Sequence, residues 1–251
     1  MRGTHRPYHD DALDAQPCEA HLGRRQEVFM KLYFAPLACS LATRIAFYEA
    51  GAEVSYVEVD LKTKRTEGGA DYRAIHPLGF VPALEIEGGE ILAENAAILQ
   101  LVADRFPQAE LAPRDPLGRA RLQQWLGFIG SELHKAVYMP LLDKTASAEV
   151  KAHALAGAPR RLGWVADRLE GREFLLDRFS VADAYLFAVL NWSVVTPIDL
   201  KSWPALAAYH ARLHGRPSVA RAFAEEREGY FREQARHAKA AEAAFAPAPS
   251  I

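Results

Sequence analysis

The sequence predicts two domains, an α/β domain followed by an all-α domain. Over residues 30–106, short strand patterns alternate with amphipathic helix patterns. Residues 107–116 then carry three prolines among charged residues, which is typical of a linker. Beyond them the apolar spacing is helical over residues 117–236. At 251 residues the chain is long enough for two domains with hydrophobic cores.

Composition and charge limit the class of protein. Hydrophobic residues make up 50% of the sequence and the formal net charge is -2, so nucleic acid and membrane surfaces are not expected partners. The two cysteines, Cys18 and Cys39, are too few for a disulfide framework, which favours a cytoplasmic location. No run approaches the roughly 20 apolar residues of a membrane span. The nine histidines show no metal-binding spacing, so no metal is expected.

The elements of the first domain follow in order. Residues 1–29 are polar and without period, which predicts a disordered extension, natural or the result of a start codon assigned too early. Residues 31–34 form a predicted strand, residues 40–50 a helix with Ser40 as N-cap and Gly51 at its end, and residues 54–59 an alternating strand. Residues 83–87 and 90–92 flank Gly88 and Gly89, which predicts a two-residue hairpin turn. A helix over residues 95–106 completes the order β-α-β, then β-β-α, of a thioredoxin-like fold.

The second domain is predicted to be a helical bundle. Helical spacing covers residues 117–139, 148–169, 181–192, 204–213 and 219–236. Ser180 and Asp183 form a predicted capping box at the start of the third helix, a structural role and not a catalytic one. The alanine-rich residues 237–251 are expected to fray into a flexible tail.

Cys39 lies between the first strand and the first helix. The dipole and N–H groups of a helix start favour a thiolate or another anion there. Ala42 stands where a dithiol enzyme would have its second cysteine, so a monothiol role is expected. The position alone also fits an inert buried thiol.

Two further segments fit a peptide ligand. In a thioredoxin-like fold the Val81-Pro82 bond before the strand is usually cis, which would turn the Val81 backbone outward, although an ordinary turn also explains it. Asn95 is a predicted N-cap, and a helix start can hold a carboxylate while Glu94 receives an ammonium group. Simple capping explains Asn95 equally well but leaves Glu94 without a role.

Three stretches resemble the glutathione-binding segments of the glutathione transferase family: FAPLACSLATRIAF, HPLGFVPAL and LAENAAILQLVADRFP. The Cys39-Ser40 pair, DLKTKR and SELHK resemble its bacterial beta class. The resemblance runs from Met30 to about Gly229 and implies a cytoplasmic homodimer that detoxifies small apolar electrophiles with glutathione as co-substrate.

The resemblance also implies a role for individual residues. Glu94 and Asn95 would hold the γ-glutamyl head, Val81 beside Pro82 the cysteinyl unit, and Lys64 the glycyl carboxylate. Cys39, Ser40 and His134 would lie near the ligand sulfur, with Cys39 and His134 as the catalytic pair, and Ser131 would be a further glutathione-binding residue. The expected apolar substrate pocket is lined by Phe34, Leu37 and Tyr138.

Three positions depart from the family pattern. Phe34 stands where tyrosine is frequent, and the neighbouring Tyr33 would face the other side of the strand, so activation of the thiol by a tyrosine is not expected. Asn95 replaces the usual serine. Gly127 replaces an asparagine that reaches the neighbouring subunit's site, so that cross-subunit contact is expected to be absent.

Three functions are consistent with these residues. The first is conjugation of the glutathione thiolate to an apolar electrophile. The second is thiol transfer or deglutathionylation through a mixed disulfide at Cys39. The third, from another class, is a binding or assembly module without turnover, for which the complete set of peptide-binding residues would be unnecessary. A serine hydrolase is disfavoured because the sequence has no Gly-x-Ser-x-Gly elbow.

Overall fold

A computed structural model describes residues 30–245, with side chains to residue 242. Within this range one sheet contains β1 (Lys31–Phe34), β2 (Ser55–Asp60), β3 (Arg65–Thr66), β4 (Ala83–Glu85) and β5 (Ile91–Ala93). The strand order is β3-β2-β1-β4-β5, with β2 parallel and β4 antiparallel to β1. Helices α1 (Leu41–Ala50) and α2 (Asn95–Arg105) complete the predicted thioredoxin-like order. The predicted extension over residues 1–29 lies outside the described residues.

Successive residues of β1 face opposite sides of the sheet. Leu32 and Phe34 pack into the main core with the helices, whereas Tyr33 packs with Val59 and Tyr72 on the other face. Because strand neighbours alternate, Tyr33 cannot take the place of a tyrosine at position 34. The expectation that Tyr33 faces away from Phe34 is confirmed.

The hairpin between β4 and β5 differs from its prediction in length. Ile86 donates its N–H to the carbonyl of Glu90 at 2.9 Å, so the loop contains three residues and not two. Gly88 and Gly89 have φ values of 84° and 80°, the left-handed conformation for which glycine was expected. Glu87 joins the two glycines in the loop, because Ile86 and Glu90 are the residues that close it.

The second domain is helical, as predicted. Its elements are α3 (Pro116–Phe128), a π-helical segment (Ile129–Tyr138), α4 (Met139–Leu142), α5 (Ala148–Leu169), α6 (Val181–Leu190), α7 (Pro204–His214) and α8 (Pro217–Phe245). Every residue of α6 is buried, and this helix packs against α1. Helix α8 continues to Phe245, so the first part of residues 237–251, which were predicted to fray from helix into a flexible tail, is helical. In the described range, no helix is both long and apolar enough to cross a membrane.

The start of α6 is held by the predicted capping box. Ser180 donates its backbone N–H to Asp183 Oδ2 at 2.9 Å. Asp183 Oδ1 accepts the Leu175 N–H at 2.9 Å and the Tyr209 hydroxyl at 2.8 Å. The Asp183 carboxylate is fully buried with all these donors around it, so its structural role is confirmed.

Candidate functional site

Three separate segments meet at Cys39. The Cys39 thiol donates to the carbonyl oxygen of Val81 at 3.2 Å, and the Val81-Pro82 peptide bond is cis, as predicted. The side-chain amide of Asn95 donates to the carbonyl oxygen of Cys39 at 2.8 Å. The loop before α1, the start of β4 and the start of α2 therefore form one site.

The Cys39 thiol is protonated near neutral pH. Burial of the sulfur raises its pKa to about 12, although Lys135 nearby favours the charged form. The Cys39 N–H at the start of α1 also favours the charged form, but burial has the larger effect. The N–H groups of Leu41 and Ala42 are already bonded to the carbonyls of Ala38 and Cys39, so they are not available to an anion. Cys39 is half-buried as a residue, and its protonated thiol is a hydrogen-bond donor.

Ser40 has a different role from the predicted one. Its hydroxyl is fully buried, donates to the Ala35 carbonyl at 3.2 Å and accepts the Ala35 N–H at 3.3 Å. Ser40 occupies the N-cap position of α1, as predicted, but its side chain makes no cap bond to the helix. The two bonds close the loop that carries Cys39, and a ligand has no access to the hydroxyl.

Asn95 is the first residue of α2 and not its N-cap. Glu94 occupies the cap position with an unusual φ of 69°. The Asn95 side chain is 5% exposed and accepts a hydrogen bond from the Thr43 hydroxyl at 3.0 Å, in addition to its bond to Cys39. Because these contacts occupy the side chain, the groups left for a carboxylate are the N–H groups in the first turn of α2. Glu94 is exposed beside them.

Lys64 lies beside the segment that contains the cis bond. Its ammonium group donates to the Gly79 carbonyl at 2.9 Å. Lys64 is partly buried, which lowers its pKa, and Arg73 nearby acts in the same direction. A cation is therefore present at the end of the site where the glycyl carboxylate of the ligand was expected to bind.

His134 is buried against other side chains of the helical domain. It is 7% exposed, its Nδ1 lies 2.8 Å from the Tyr185 hydroxyl, and its ring centroid lies 4.9 Å from that of Trp192. Burial lowers its pKa to about 4, so the ring is neutral at pH 7. This environment does not supply the positive charge that would stabilise a thiolate.

Lys135, and not His134, is the cation of the SELHK motif that lies close to Cys39. It was not among the predicted site residues. Lys135 is exposed, and its ammonium group lies 5.5 Å from the ring centroid of Phe80. The predicted Ser131 is exposed as well, but its hydroxyl donates to the Gly127 carbonyl within its own helix at 3.0 Å. The helical domain thus presents Lys135 to the site.

Two of the three predicted pocket residues do not line a cleft. Phe34 is 8% exposed and packs against the guanidinium of Arg44, and Tyr138 is fully buried with its hydroxyl 2.7 Å from that of Ser193. Leu37, the third, is half-buried. Phe80, which the prediction omitted, is 54% exposed next to Val81. Leu37 and Phe80 are therefore apolar side chains in the segments next to Cys39 and Val81 that remain at least partly exposed.

The helical domain holds the loop before α1 through the backbone of Leu37. Leu37 has a φ of 58°, donates its N–H to Glu226 Oε2 at 2.8 Å and accepts the Trp192 indole N–H at 2.9 Å. Glu226 Oε1 accepts from Arg44 Nε at 3.0 Å, and the Arg44 guanidinium lies 4.1 Å from the ring centroid of Tyr56. No local sequence pattern indicates these contacts, because they join distant parts of the chain.

The Glu226 carboxylate is the buried centre of this arrangement. Burial raises its pKa to about 8, while Arg44 and the Leu37 N–H stabilise the charged form. One oxygen accepts a hydrogen bond from the Leu37 N–H and the other from Arg44 Nε, and neither of these groups can accept a hydrogen bond in return. The geometry therefore corresponds to the ionised carboxylate.

A cavity of about 850 Å³ lies elsewhere, between the linker, α3 and α5. Its walls carry basic and acidic side chains in mixture, among them Arg114, Arg121 and Asp167. Neither Cys39 nor Val81 lines it, so this cavity is separate from the site described above.

Comparison with known protein families gives two matches. Residues 29–104 match the glutathione S-transferase N-terminal domain, and residues 129–217 match the glutathione S-transferase C-terminal domain. The glutathione S-transferase GstA of Escherichia coli O157:H7 is 39% identical over 199 residues, which cover 78% of this chain and 98% of that protein.

Solved structures show the same similarity. A sphingomonad glutathione S-transferase complexed with glutathione is 43% identical, with a TM-score of 0.75. A beta-class glutathione S-transferase from Sphingomonas chungbukensis is 45% identical, also with a TM-score of 0.75. Each comparison covers 78% of this chain and 98% of the other.

Proposed function

Because the chain belongs to the glutathione S-transferase family, we propose that it conjugates glutathione to small apolar electrophiles at the site around Cys39. The two matched domains and the close relatives establish the family activity. The identity of the electrophile and the residue roles below are our proposal.

The observation that carries the proposal is the hydrogen bond from the Cys39 thiol to the Val81 carbonyl. It brings the thiol to the backbone group that would pair with the cysteinyl unit of glutathione. Glu94 and the first turn of α2 would then hold the γ-glutamyl head, while Lys64 would hold the glycyl carboxylate. In this arrangement the glutathione sulfur replaces Val81 as the acceptor of the Cys39 S–H.

The charges around the sulfur favour a glutathione thiolate. The neutral Cys39 thiol donates a hydrogen bond, and Lys135 contributes positive potential. The thiolate, whose proton passes to solvent, attacks the electrophilic carbon. The new carbon–sulfur bond forms as the leaving group departs with its bonding electron pair. Leu37 and Phe80 would contact the apolar part of the electrophile.

Thiol transfer through a mixed disulfide is the second candidate. The partial exposure of Cys39 supports it, because the thiol would adjoin the glutathione sulfur. The raised pKa of Cys39 opposes it, since the thiolate is the nucleophile in disulfide exchange. We therefore place conjugation first, and the two reactions can be separated at this residue.

Replacing Cys39 tests both candidates. We expect Cys39→Ser, which keeps a donor, to retain conjugation of an aryl halide within about tenfold, because a single hydrogen bond contributes about 1 kcal/mol. The same variant should lose glutathione-dependent reduction of a small disulfide. Steady-state kinetics on both substrates would measure this, with Cys18→Ser as the control for the other cysteine. Loss of conjugation in Cys39→Ser, with glutathione binding intact, would contradict the assignment.

We further propose a homodimer that acts in detoxification in the cytoplasm. The similarity to a beta-class enzyme supports this proposal, together with the scarcity of cysteine and the near-neutral charge of the sequence.

A further inference from the structure

Two carboxylates and an imidazole meet where α8 packs against the end of β2. They belong to Asp60, Glu233 and His237, and one possible ligand atom of each lies within 4.8 Å of the others. Glu233 and His237 are four residues apart on α8, so their side chains lie on the same side of the helix. This cluster is separate from the residues around Cys39.

The Asp60 carboxylate is fixed in orientation by its own loop. Oδ1 accepts the N–H groups of Lys62 and Thr63 at 2.8 and 3.1 Å, while Oδ2 lies 2.8 Å from His237 Nε2. One oxygen is therefore used by the backbone and the other is directed at α8. Hydrogen bonds of this kind hold a ligand in place before a cation binds.

Glu233 lacks the partner that its burial requires. The residue is 9% exposed, yet within the described part of the chain its carboxylate makes no hydrogen bond or ion pair. Arg236, on the same helix, is paired with Glu58. A nearly buried carboxylate beside a second one is costly unless a cation compensates it.

We propose that Asp60, Glu233 and His237 bind one divalent transition-metal cation, with Zn²⁺ as the expected ion. One imidazole nitrogen and two carboxylate oxygens are a usual ligand set for zinc, whereas Mg²⁺ and Ca²⁺ prefer oxygen alone. A simple Asp60–His237 ion pair leaves the Glu233 carboxylate unexplained. The remaining positions on the metal would be taken by water.

This site departs from the sequence expectation that the protein holds no metal. The Glu233-x-x-x-His237 spacing was present in the sequence, but the third ligand comes from the end of β2, and residues from 237 onward were expected to be flexible. Zinc there would join α8 to the sheet of the first domain.

Zinc titration of the full-length protein tests the proposal. After removal of metals with a chelator, calorimetry should show one Zn²⁺ bound per chain, and the melting temperature should rise with added Zn²⁺. Glu233→Gln and His237→Ala should each weaken binding by at least about tenfold. His153→Ala, which removes an exposed histidine on α5, should bind zinc like the unmodified protein.

Cobalt distinguishes this site from one that uses a cysteine. Co²⁺ bound here should give only weak visible bands, without the intense near-ultraviolet band of a thiolate ligand. Circular dichroism would confirm that each variant is folded. If His237→Ala does not fold, the isosteric variant Glu233→Gln alone decides whether the cluster binds zinc. The proposal is overturned by absence of zinc binding, by unchanged affinity in Glu233→Gln, or by a thiolate band.

Discussion

His134 lies between Tyr185 and Trp192, and its neutral ring gives the protein a pH dependence of stability. Its folded pKa of about 4 is below the ordinary value of 6.5, so the unfolded chain takes up a proton first as the pH falls. The stability that depends on the neutral ring is fully present above pH 6.5 and is lost as the pH falls from 6.5 to 4. Between pH 7 and pH 4.5 this loss in the free energy of unfolding is on the order of 2 kcal/mol.

We therefore expect His134→Gln to lose less stability than the unmodified protein when the pH is lowered from 7 to 4.5. Urea unfolding at the two pH values measures the difference. His153→Gln, at an exposed position, should behave like the unmodified protein and serves as the control. Equal losses in His134→Gln and the unmodified protein would mean that His134 is not the group responsible.

The kinds of residue at the site could be predicted, but the directions of several side chains could not. The loop cysteine, Val81-Pro82 and Glu94 were found because each follows from a local motif. Ser40 and Asn95 were expected to act at helix starts, and instead they turn inward. Buried backbone carbonyls at Ala35 and Cys39 accept their hydrogen bonds, and such acceptors exist only in the folded chain.

At the scale of elements, α8 fixes the loop that precedes α1. Glu226 and Glu225 both bind Arg44, but the side chain of Glu226 is 0% exposed and that of Glu225 is 40% exposed. Removing a buried partner leaves the other charge uncompensated, whereas an exposed pair contributes little. The two residues therefore form a matched comparison.

We expect Glu226→Gln to lower the free energy of unfolding by about 3 kcal/mol above pH 8, and to raise the KM for glutathione because the Leu37 loop loses its anchor. Glu225→Gln should cost less than about 1 kcal/mol. Urea unfolding and steady-state kinetics provide both values. Similar losses of unfolding free energy in Glu226→Gln and Glu225→Gln would show that the burial of Glu226 does not determine its contribution to stability.

The long helices could be predicted from the sequence. The very short strands, and the helix ends that depend on tertiary contacts, could not. Residues 148–169 have one clear period and form α5 as predicted. Strand β3 has two residues and exists only through its pairing with β2. The π-helical segment was predicted as part of one helix over residues 117–139, because its apolar spacing does not distinguish a π-helix from an α-helix. The end of α8 is supported by its contacts with Glu58 and Asp60.

Across the whole molecule, the two domains share a hydrophobic core. One cluster contains Leu32 and Ile45 from the first domain together with Leu126 and Val189 from the second. Ion pairs between the domains add to it, including those of Arg44 with Glu226, Arg216 with Glu49 and Arg236 with Glu58. The sequence predicted the order of the domains, but not these pairs, because no local pattern relates residues so far apart.

A shared core predicts a single cooperative unfolding transition. Scanning calorimetry should show one endotherm, and urea unfolding followed by indole fluorescence and by far-ultraviolet circular dichroism should give coincident transitions. Two endotherms, or transitions that do not coincide, would show instead that the two domains unfold separately.

The indole of Trp192 has a consequence for observing the protein at work. Its N–H is bonded to the Leu37 carbonyl and its ring lies against His134, whereas Trp125 and Trp164 form a separate aromatic pair. Indole emission depends on hydrogen bonding and on the polarity of the surroundings. Trp192 is therefore a built-in optical reporter of the loop that carries the thiol, and ligand arrival there can be followed in real time without an added label.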